Sequence, residues 1–466
     1  MITPLPLDTN YQSTRLPSES QTTLNLFPHT GNGYRPFPGL KVFSRFNAQI
    51  EALDAADGGL NAADGTLFTA YIAGGNDRGQ ALMRDALYVV SGPSLFKVES
   101  AGSGSFIGVI EGTVPVTMAT NGTQLIIAAG AYKYVYTLAN GLQAITDSDL
   151  DDAYTVAYLD SRFIYDQPDG EFVASDLNDG TSIDPLYFAE AEAFPDNILA
   201  VYPLNQLIYM LGETSTEVWY TSGVGVPPLD RQAVLEHGLM SRYAVDSIDD
   251  SLYFVDHHRR PAVVEGSQYS PLILSGSMAA TWDEYPESAM DTVRVACYSH
   301  ELENFIDFIF PKVDKVWTFH EPSRQWFEKS LTTSSAIRAF GTTLLAGTKN
   351  ATMYELDGFV NDEAVVERTK DTGLINAETF GAPGRSMTLN SLYIAYDAPS
   401  EVTVHVYFSK DLIEFKNPRT FTLSGNGRKK LTSFGMFNEG IIRIVTYATT
   451  KLDILSVSAD VEFLDE

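Results

Sequence analysis

The acidic segment Asp147-Ser-Asp-Leu-Asp-Asp152 is the part of this sequence that most resembles a metal-binding loop. Its carboxylates occupy positions 1, 3 and 5 of a calcium loop, where oxygen ligands are needed. Position 6 is Asp152, where the sharp turn requires glycine, and position 12 is Tyr158, where the loop needs a bidentate glutamate. A solvated acidic loop is the favoured interpretation, and calcium binding by residues 147–152 stays open.

The histidines and the cysteine do not indicate a second site. His257 and His258 are adjacent, and adjacent strand residues point to opposite faces, so a polar turn between strands is favoured over chelation of one ion. Cys297 is the single cysteine, which excludes an intrachain disulfide. Because Cys297 alternates with Val293 and Val295, we predict a small core residue and not a nucleophile.

The sequence shows no enzyme motif. It lacks the Walker spacing of phosphate-binding loops and the Gly-x-Ser-x-Gly elbow of serine hydrolases. It also lacks the Ser-x-Asp-x-Gly-x-x-Trp box of sialidase-type propellers, and no carboxylate pair is marked for glycoside hydrolysis. We therefore assign no catalytic, cofactor-binding or metal-binding residue, and we expect a protein that is not an enzyme and needs no cofactor.

Groups of three short apolar strands, separated by polar turns, recur along most of the chain. Their alternation of apolar and polar residues favours strands over helices. The period is about 43 residues, the size of a propeller blade. Closing such units into a ring buries their faces and leaves only short, protected edges. The second strands of the seven copies begin near Leu87, Leu125, Phe163, Ile208, Tyr253, Ile306 and Leu344.

The sequence thus predicts an all-β protein in three parts. Residues 37–380 form a seven-bladed β-propeller, whose last blade is completed by a strand at residues 39–43. Residues 1–36, rich in Pro, Thr, Ser and Asn, form an extended N-terminal arm. Residues 381–466 form a C-terminal β-sandwich, in which Asn426-Gly427 predicts a type I′ hairpin. Residues 279–295 are a weak helix candidate.

Composition and charge restrict the functions that this chain can have. Of its 466 residues, 44% are apolar and 12% aromatic, which is typical of a globular protein. The formal net charge is −29, which opposes sequence-independent binding to DNA or to anionic lipid. Residues 380–466 are nearly neutral, so the propeller region carries almost all of this charge. We expect a soluble protein without a signal peptide or a membrane contact, since no basic n-region or long apolar stretch is present.

A series of segments, taken in order, resembles one protein family. The most distinctive is Leu211-Gly-Glu-Thr-Ser-Thr-Glu-Val-Trp219. The others are Leu24-Asn-Leu-Phe-Pro28 with Pro38-Gly-Leu40, residues 172–177 and 189–196, Glu236-His-Gly-Leu239, and Trp317-Thr-Phe-His320 with Gln325-Trp-Phe-Glu328. This series is similar to the packaged-DNA stabilisation or tail-hub proteins of short-tailed bacteriophages.

The resemblance implies a structural protein of the virion tail, assembled in the cytoplasm of the bacterial host. It implies a ring of this chain, of six copies, that joins the portal and its adaptor to a tail needle, fibre or tailspike. Such a ring retains the packaged genome until ejection, and DNA is only passing cargo. The residues that we single out for structural or interaction roles are Gly212, Glu213, Glu217, Trp219, His237, Gly238, Trp317 and Trp326.

Two further questions stay open at this point. For the segment ending at Trp219, a blade hairpin with Gly212 in its turn is favoured over a contact with a partner. The negative charge leads to the hypothesis that acidic side chains line the ring's channel and repel the phosphates of passing DNA. A glycan-binding propeller adhesin, and after it a propeller glycoside hydrolase, are the alternative functions, because fold alone does not separate them.

Overall fold

The structure is a computed structural model, and it describes residues 2–7, 11, 21–29, 33–49, 71–191, 196–223, 228–274, 276–330, 337–362 and 364–464. Nearly all regular structure is antiparallel β-sheet, which confirms the predicted all-β class and the propeller. The strands alternate between buried and exposed side chains only weakly, because the middle strands of each blade are covered on both faces. The strand Ala86–Ser91, for example, is buried at every position.

Five blades are separate four-stranded sheets whose strands follow one another in the sequence. Their strands are, for blade 1, Asp77–Met83, Ala86–Ser91, Ser94–Val98 and Gly104–Val109; for blade 2, Thr117–Thr120, Gln124–Ala129, Tyr132–Thr137 and Gly141–Ala144; for blade 3, Val156–Leu159, Arg162–Asp166, Glu171–Asp176 and Asp179–Glu190; for blade 4, Ile198–Leu204, Leu207–Gly212, Thr216–Thr221 and Leu229–Leu235; and for blade 5, Val245–Ile248, Ser251–Val255, Pro261–Glu265 and Gln268–Pro271.

Blade 6 is completed by the N-terminal part of the chain. Its strands Ile337–Phe340, Thr343–Lys349 and Thr352–Leu356 are followed in space by Leu40–Arg45, which pairs antiparallel with the third of them. This confirms the predicted closing strand at residues 39–43. The short strands Val360–Asn361 and Ala364–Val365 extend the same sheet.

The prediction of seven separate blades is wrong. Six blades are separate sheets, whereas the predicted sixth copy is the first part of a 14-stranded sheet, here called the large sheet. Its strands Arg294–His300, Glu303–Phe310, Lys315–His320 and Gln325–Lys329 form the 294–329 meander. The first of these strands contacts the first strands of blades 5 and 6. The meander therefore lies between two blades while its outer strand continues into the large sheet.

The large sheet continues from the meander through N-terminal and C-terminal strands. Thr23–Leu24 pairs with the last meander strand on one side and with Arg368–Asp371 on the other. The remaining strands of this sheet are Glu439–Thr446, Met387–Ser409, Asp453–Phe463, Gly33–Pro36 and Leu26–His29, with Ile2–Pro4, Ile375–Asn376 and Arg419–Phe437 paired beside them. The described parts of the predicted arm are thus strands of a sheet shared with the C-terminus.

The C-terminal region is a curled sheet and not the predicted sandwich of two separate sheets. Met387–Ser409 is one long strand that bends between Ala398 and Val402. Its first half pairs with Asp453–Phe463 and its second half with Glu439–Thr446. The predicted hairpin at Asn426-Gly427 is also wrong, because both residues lie inside the strand Arg419–Phe437 and pair with Asp397 and Tyr396.

The rest of the described structure is short. One helix spans Gly276–Glu284 and overlaps the start of the helix candidate at residues 279–295, and a second helix, Glu287–Met290, lies within that candidate. 3-10 turns span Pro168–Gly170 and Glu378–Phe380. Asn47–Gln49 pairs with Tyr71–Ala73. Among the described residues, no helix is long and apolar enough to span a membrane.

Candidate functional site

The hairpin that joins the second and third strands of blade 4 is built around Asp196. The Asp196 carboxylate accepts hydrogen bonds from the backbone amides of Thr214 (2.7 Å) and Ser215 (2.9 Å) and from both hydroxyls. A Cβ on Gly212 would lie 2.7 Å from Asp196 Oδ2, so only glycine leaves room for this carboxylate. Glu213 is exposed at the tip, where its Oε1 accepts a hydrogen bond from Asn197 Nδ2.

The buried Glu217 holds the next part of the same segment. Its carboxylate accepts hydrogen bonds from Trp219 Nε1 (2.9 Å) and from Arg231 Nη1 (3.0 Å). The Trp219 ring packs edge-to-face on Phe172 of blade 3, with the ring centroids 5.2 Å apart. In this geometry Trp219 packs between two blades, and Glu217 satisfies its indole nitrogen.

His237 and Gly238 lie against this hairpin from the loop that leads to blade 5. A Cβ on Gly238 would lie 2.3 Å from the backbone of Glu213 and Thr214, so the two segments touch backbone to backbone. The His237 ring stacks on Tyr269, with the centroids 3.5 Å apart. The His237 carbonyl accepts a hydrogen bond from the Thr216 hydroxyl (2.7 Å). These contacts join blade 4 to blade 5.

Trp317 and Trp326 lie in the 294–329 meander, away from the blade 4 hairpin. Trp317 is buried, donates to the Tyr285 hydroxyl (3.0 Å) and packs edge-to-face on Tyr11. Trp326 donates to the Ile273 carbonyl (3.0 Å). The structure thus brings six of the eight selected residues together around blade 4 and places the two tryptophans elsewhere. An interaction role for any of the eight stays a prediction.

The residues considered for metal binding have structural contacts. His257-His258 forms the predicted turn between strands of blade 5, and His257 Nδ1 accepts a hydrogen bond from the Gly238 amide (3.1 Å). Burial lowers the pKa of His257. Cys297 is buried, which confirms the predicted core position. The Asp147 carboxylate accepts hydrogen bonds from the amides of Asp149 and Ile183. Within the described residues, no three His, Cys, Asp or Glu side chains form a group that could hold a metal ion.

A cavity of about 460 Å³ lies on the axis of the propeller, lined by the first strands of the blades. Sequence reasoning did not identify it. Its wall contains four arginines and one acidic residue, Asp77, so its lining is positive in a strongly negative chain. The arginines come from neighbouring wedges of the ring: Arg242 from blade 5, Arg294 from the meander, Arg338 from blade 6 and Arg78 from blade 1.

A tyrosine in the lining of this cavity reaches across the axis. The Tyr243 hydroxyl, at the entry to blade 5, donates to the carbonyl of Pro115 at the entry to blade 2 (2.8 Å). Burial raises the pKa of Tyr243 to about 12, so this hydroxyl stays a donor at neutral pH. Arg78 fixes the loop on the other side, since its guanidinium donates to the carbonyls of Gly92, Ile110, Glu111 and Val114.

Buried carboxylates hold two of the other arginines. Asp166 Oδ2 accepts a hydrogen bond from Arg242 Nη1 (2.9 Å), and Asp246 Oδ2 accepts one from Arg338 Nη1. Burial raises the pKa of Asp166 to about 6, although the Thr155 amide and Arg242 oppose this shift. Burial likewise raises the pKa of Asp77 to about 6, against the opposing effect of Arg294 and Arg338. The arginines are therefore positioned by ion pairs in a partly dry environment.

A sequence signal for this cluster exists. Each arginine lies within three residues of the start of the first strand of its wedge. The repeat alignment places these starts at one end of the ring, and a count of basic residues at that position would have found the cluster.

A sequence profile described as Bacteriophage P22 Gp10, beta-propeller, matches residues 46–333, more than half of the chain. The chain belongs to this family. The match confirms the resemblance found from the sequence motifs and identifies a phage structural protein of the virion that contains a β-propeller. No curated protein matches the sequence.

Solved propellers resemble the chain weakly. The WD40 domain of Pan2 from Neurospora crassa is 9% identical with a TM-score of 0.43, covering 60% of this chain and 88% of its own. The WD40 propeller of Doa1 is 8% identical with a TM-score of 0.43, covering 68% and 97%. A catalytically inactive virginiamycin B lyase from Staphylococcus aureus, solved with quinupristin, is 9% identical with a TM-score of 0.46, covering 68% and 98%. Similarities this weak support no conclusion about the function of this chain.

Proposed function

We propose that this protein is a non-enzymatic hub or plug of a short-tailed phage tail, which retains the packaged genome after assembly. The observation that carries the proposal is the family match over residues 46–333. The hub joins the portal and its adaptor on one side to a tail needle, fibre or tailspike on the other. Its affinity comes from large interfaces between copies and partners and not from a single pocket.

We propose that copies of the chain associate in a ring, of six copies, through the basic edge of the large sheet. Within the described sheet, Arg419–Phe437 pairs with only one neighbouring strand, so no strand covers its other edge. This strand carries Arg428 and Lys430 on its exposed positions. Charges on an edge strand prevent nonspecific strand pairing, and they also complement a negative surface. The strongly acidic propeller of a second copy provides such a surface.

The path of the genome in this proposal runs between the copies and not through a propeller. The Tyr243–Pro115 hydrogen bond crosses the propeller axis, and the axial cavity is lined by arginines. The acidic side chains that repel phosphate therefore belong on the propeller surfaces that face the centre of the ring. A map of the assembled particle with basic or neutral residues along the genome path contradicts this part of the proposal.

Native mass spectrometry tests the hub directly. We expect the purified protein to form a ring on its own or when the phage adaptor protein is added. The mass of this ring should be a multiple of the mass of one chain. Cryo-electron microscopy of the intact particle then places the ring on the genome exit path. A chain that stays monomeric with its virion partners, or that lies outside the tail, contradicts the proposal.

A separate experiment, with a matched control variant, tests whether the edge strand Arg419–Phe437 is the docking surface. Reversing two charges on the edge strand, with Arg428→Glu and Lys430→Glu, places negative charge against the acidic propeller, so we expect the ring to dissociate. The control reverses two exposed charges in the meander, Lys312→Glu and Arg324→Glu, and changes the net charge by the same amount. Equal ring populations for both variants would show that the edge strand is not the docking surface, even if the chain is a hub.

A further inference from the structure

We infer that the axial cavity of the propeller is a binding site for a small organic oxyanion, a carboxylate or a phosphate. This inference concerns one chain and does not depend on the tail-hub role. The cavity volume of about 460 Å³ lies within the range of about 300–1,000 Å³ that is usual for small-molecule sites.

Arg242 and Arg338 are held by their carboxylate partners and still border the cavity. The hydrogen bonds of Arg242 and Arg338 to their carboxylate partners both involve Nη1. Their side chains are still 29% and 37% exposed, and both residues line the cavity. A guanidinium has five N–H donors arranged in a planar fork that matches a carboxylate or a phosphate. Each arginine is therefore held in place by one edge while another part borders the cavity.

The charge of the wall favours an anion over a neutral ligand. Arg294 lies on the wedge between Arg242 and Arg338, so three guanidinium groups line the cavity from consecutive wedges. The carboxylates of Asp166 and Asp246 are buried behind the wall and are not part of the lining. Asp77 is the acidic lining residue, is 6% exposed, and its Oδ1 has no hydrogen-bond partner in the described structure. Four arginines face three carboxylates when Asp166 and Asp246 are counted with Asp77, so the cluster keeps one positive charge in excess, and this charge attracts an anion.

The position of the arginines places the anionic group at one end of the cavity. Arg242, Arg294 and Arg338 lie at or near the start of the first strands, where the Tyr243–Pro115 hydrogen bond also crosses the axis. Further along those strands the lining mixes apolar and polar residues, such as Met118, Thr120 and Tyr158. The oxyanion therefore binds the arginines, and the uncharged part of the ligand contacts this mixed wall.

Isothermal titration calorimetry with matched sugars tests this inference on the full chain. Glucose, glucuronate and glucose 6-phosphate share one ring and differ in the charged group. We expect glucuronate, glucose 6-phosphate or both to bind at least about tenfold more tightly than glucose. Binding of one charged sugar alone identifies the carboxylate or the phosphate as the preferred group. No binding by either charged sugar, or equal binding of glucose, overturns the inference.

Variants locate the binding in the cavity. Arg294→Gln removes one guanidinium, and we expect a loss of affinity of about tenfold. Ala119→Asp adds a carboxylate to the lining without removing an existing ion pair, so it provides the same test if the first variant does not fold. The control is Arg84→Gln, an exposed arginine on the blade 1 hairpin outside the cavity, which we expect to bind as the wild type does. Unchanged affinity in both cavity variants places the anion elsewhere and refutes the inference.

Discussion

The buried ion pair between Lys329 and Asp307 is the point where a single substitution should destabilise the meander most. Lys329 Nζ lies 2.5 Å from Asp307 Oδ2, and the two side chains are 1% and 3% exposed. Asp307 Oδ1 also accepts a hydrogen bond from the Thr318 hydroxyl (2.8 Å). Burial lowers the pKa of Lys329 and Asp307 opposes this shift, so the ammonium depends on its partner.

Lys329→Met leaves the Asp307 carboxylate buried without its counter-charge. Removing one partner of a buried ion pair costs about 3–5 kcal/mol, whereas replacing both partners by apolar side chains is often neutral or stabilising. In the double variant Lys329→Met, Asp307→Leu, the hydroxyls of Tyr298 and Thr318 lose a partner, at about 1 kcal/mol each or more. We expect the double variant to regain most of the stability lost in the single variant.

Urea unfolding followed by tryptophan fluorescence measures the unfolding free energies of these variants, because Trp317 and Trp326 lie in the same meander. Lys97→Met is the control, since Lys97 pairs with the exposed Glu99, and we expect its urea midpoint to match the wild type. If the double variant is as unstable as Lys329→Met alone, the loss does not come from an unpaired buried carboxylate, and the reasoning is refuted.

Four further predictions use the same urea assay. Glu217→Ala leaves Trp219 Nε1 unpaired and should cost about 1–3 kcal/mol, with a smaller loss for Glu217→Gln. Because the pKa of Asp77 is raised to about 6, its protonated form stabilises the folded chain below about pH 4, and this stabilisation is lost as the pH rises through about 6. Asp77→Asn should therefore remove roughly 3 kcal/mol of the pH dependence of the unfolding free energy across that window. An unchanged pH dependence contradicts this prediction. Gly238→Ala forces a Cβ into backbone atoms and should cost about 1–3 kcal/mol or more. Gly427→Ala should cost less than about 1 kcal/mol, because Gly427 is in a strand without positive φ; a large loss would indicate turn geometry.

The repeated strands could be predicted from the sequence because their signal is local. The strand Ala86–Ser91 of blade 1 and its counterparts in other blades are continuous apolar runs, and such runs can be recognised in a single sequence. The outermost strands were harder, since Gly104–Val109 has no fully buried residue and so no apolar pattern to read. The closing strand near Leu40 pairs with the third strand of blade 6, as the sequence predicts for residues 39–43.

The errors in the prediction concern pairing between distant parts of the chain. Asn426-Gly427 has strong local turn chemistry, but sixteen paired positions with the strand Met387–Ser409 hold it extended. The fusion of the meander with the large sheet depends on Leu24, which pairs with Glu328 about 300 residues away. Local patterns contain no information about such contacts. The axial arginines are an intermediate case: their positions near the strand starts are visible in the sequence, but that they line one cavity follows only from the ring that brings four wedges together.

The segment around residues 21–25 connects the propeller to the large sheet through both backbone and side-chain contacts. Asn25 Nδ2 donates both to the Ser330 hydroxyl (2.7 Å), beside the meander, and to the Glu367 carbonyl (2.8 Å), beside the C-terminal strands. Asp371 accepts a two-point ion pair from Arg443, at 2.7 and 2.6 Å, and a hydrogen bond from the Thr22 amide (2.9 Å).

A propeller joined to its neighbouring sheet only by a linker would rotate under load. Here the N-terminal segment is a strand between the two, so any separation must break its backbone pairing with the meander or with the C-terminal strands. The same strand also explains why the described parts of the predicted N-terminal arm are integrated into the fold.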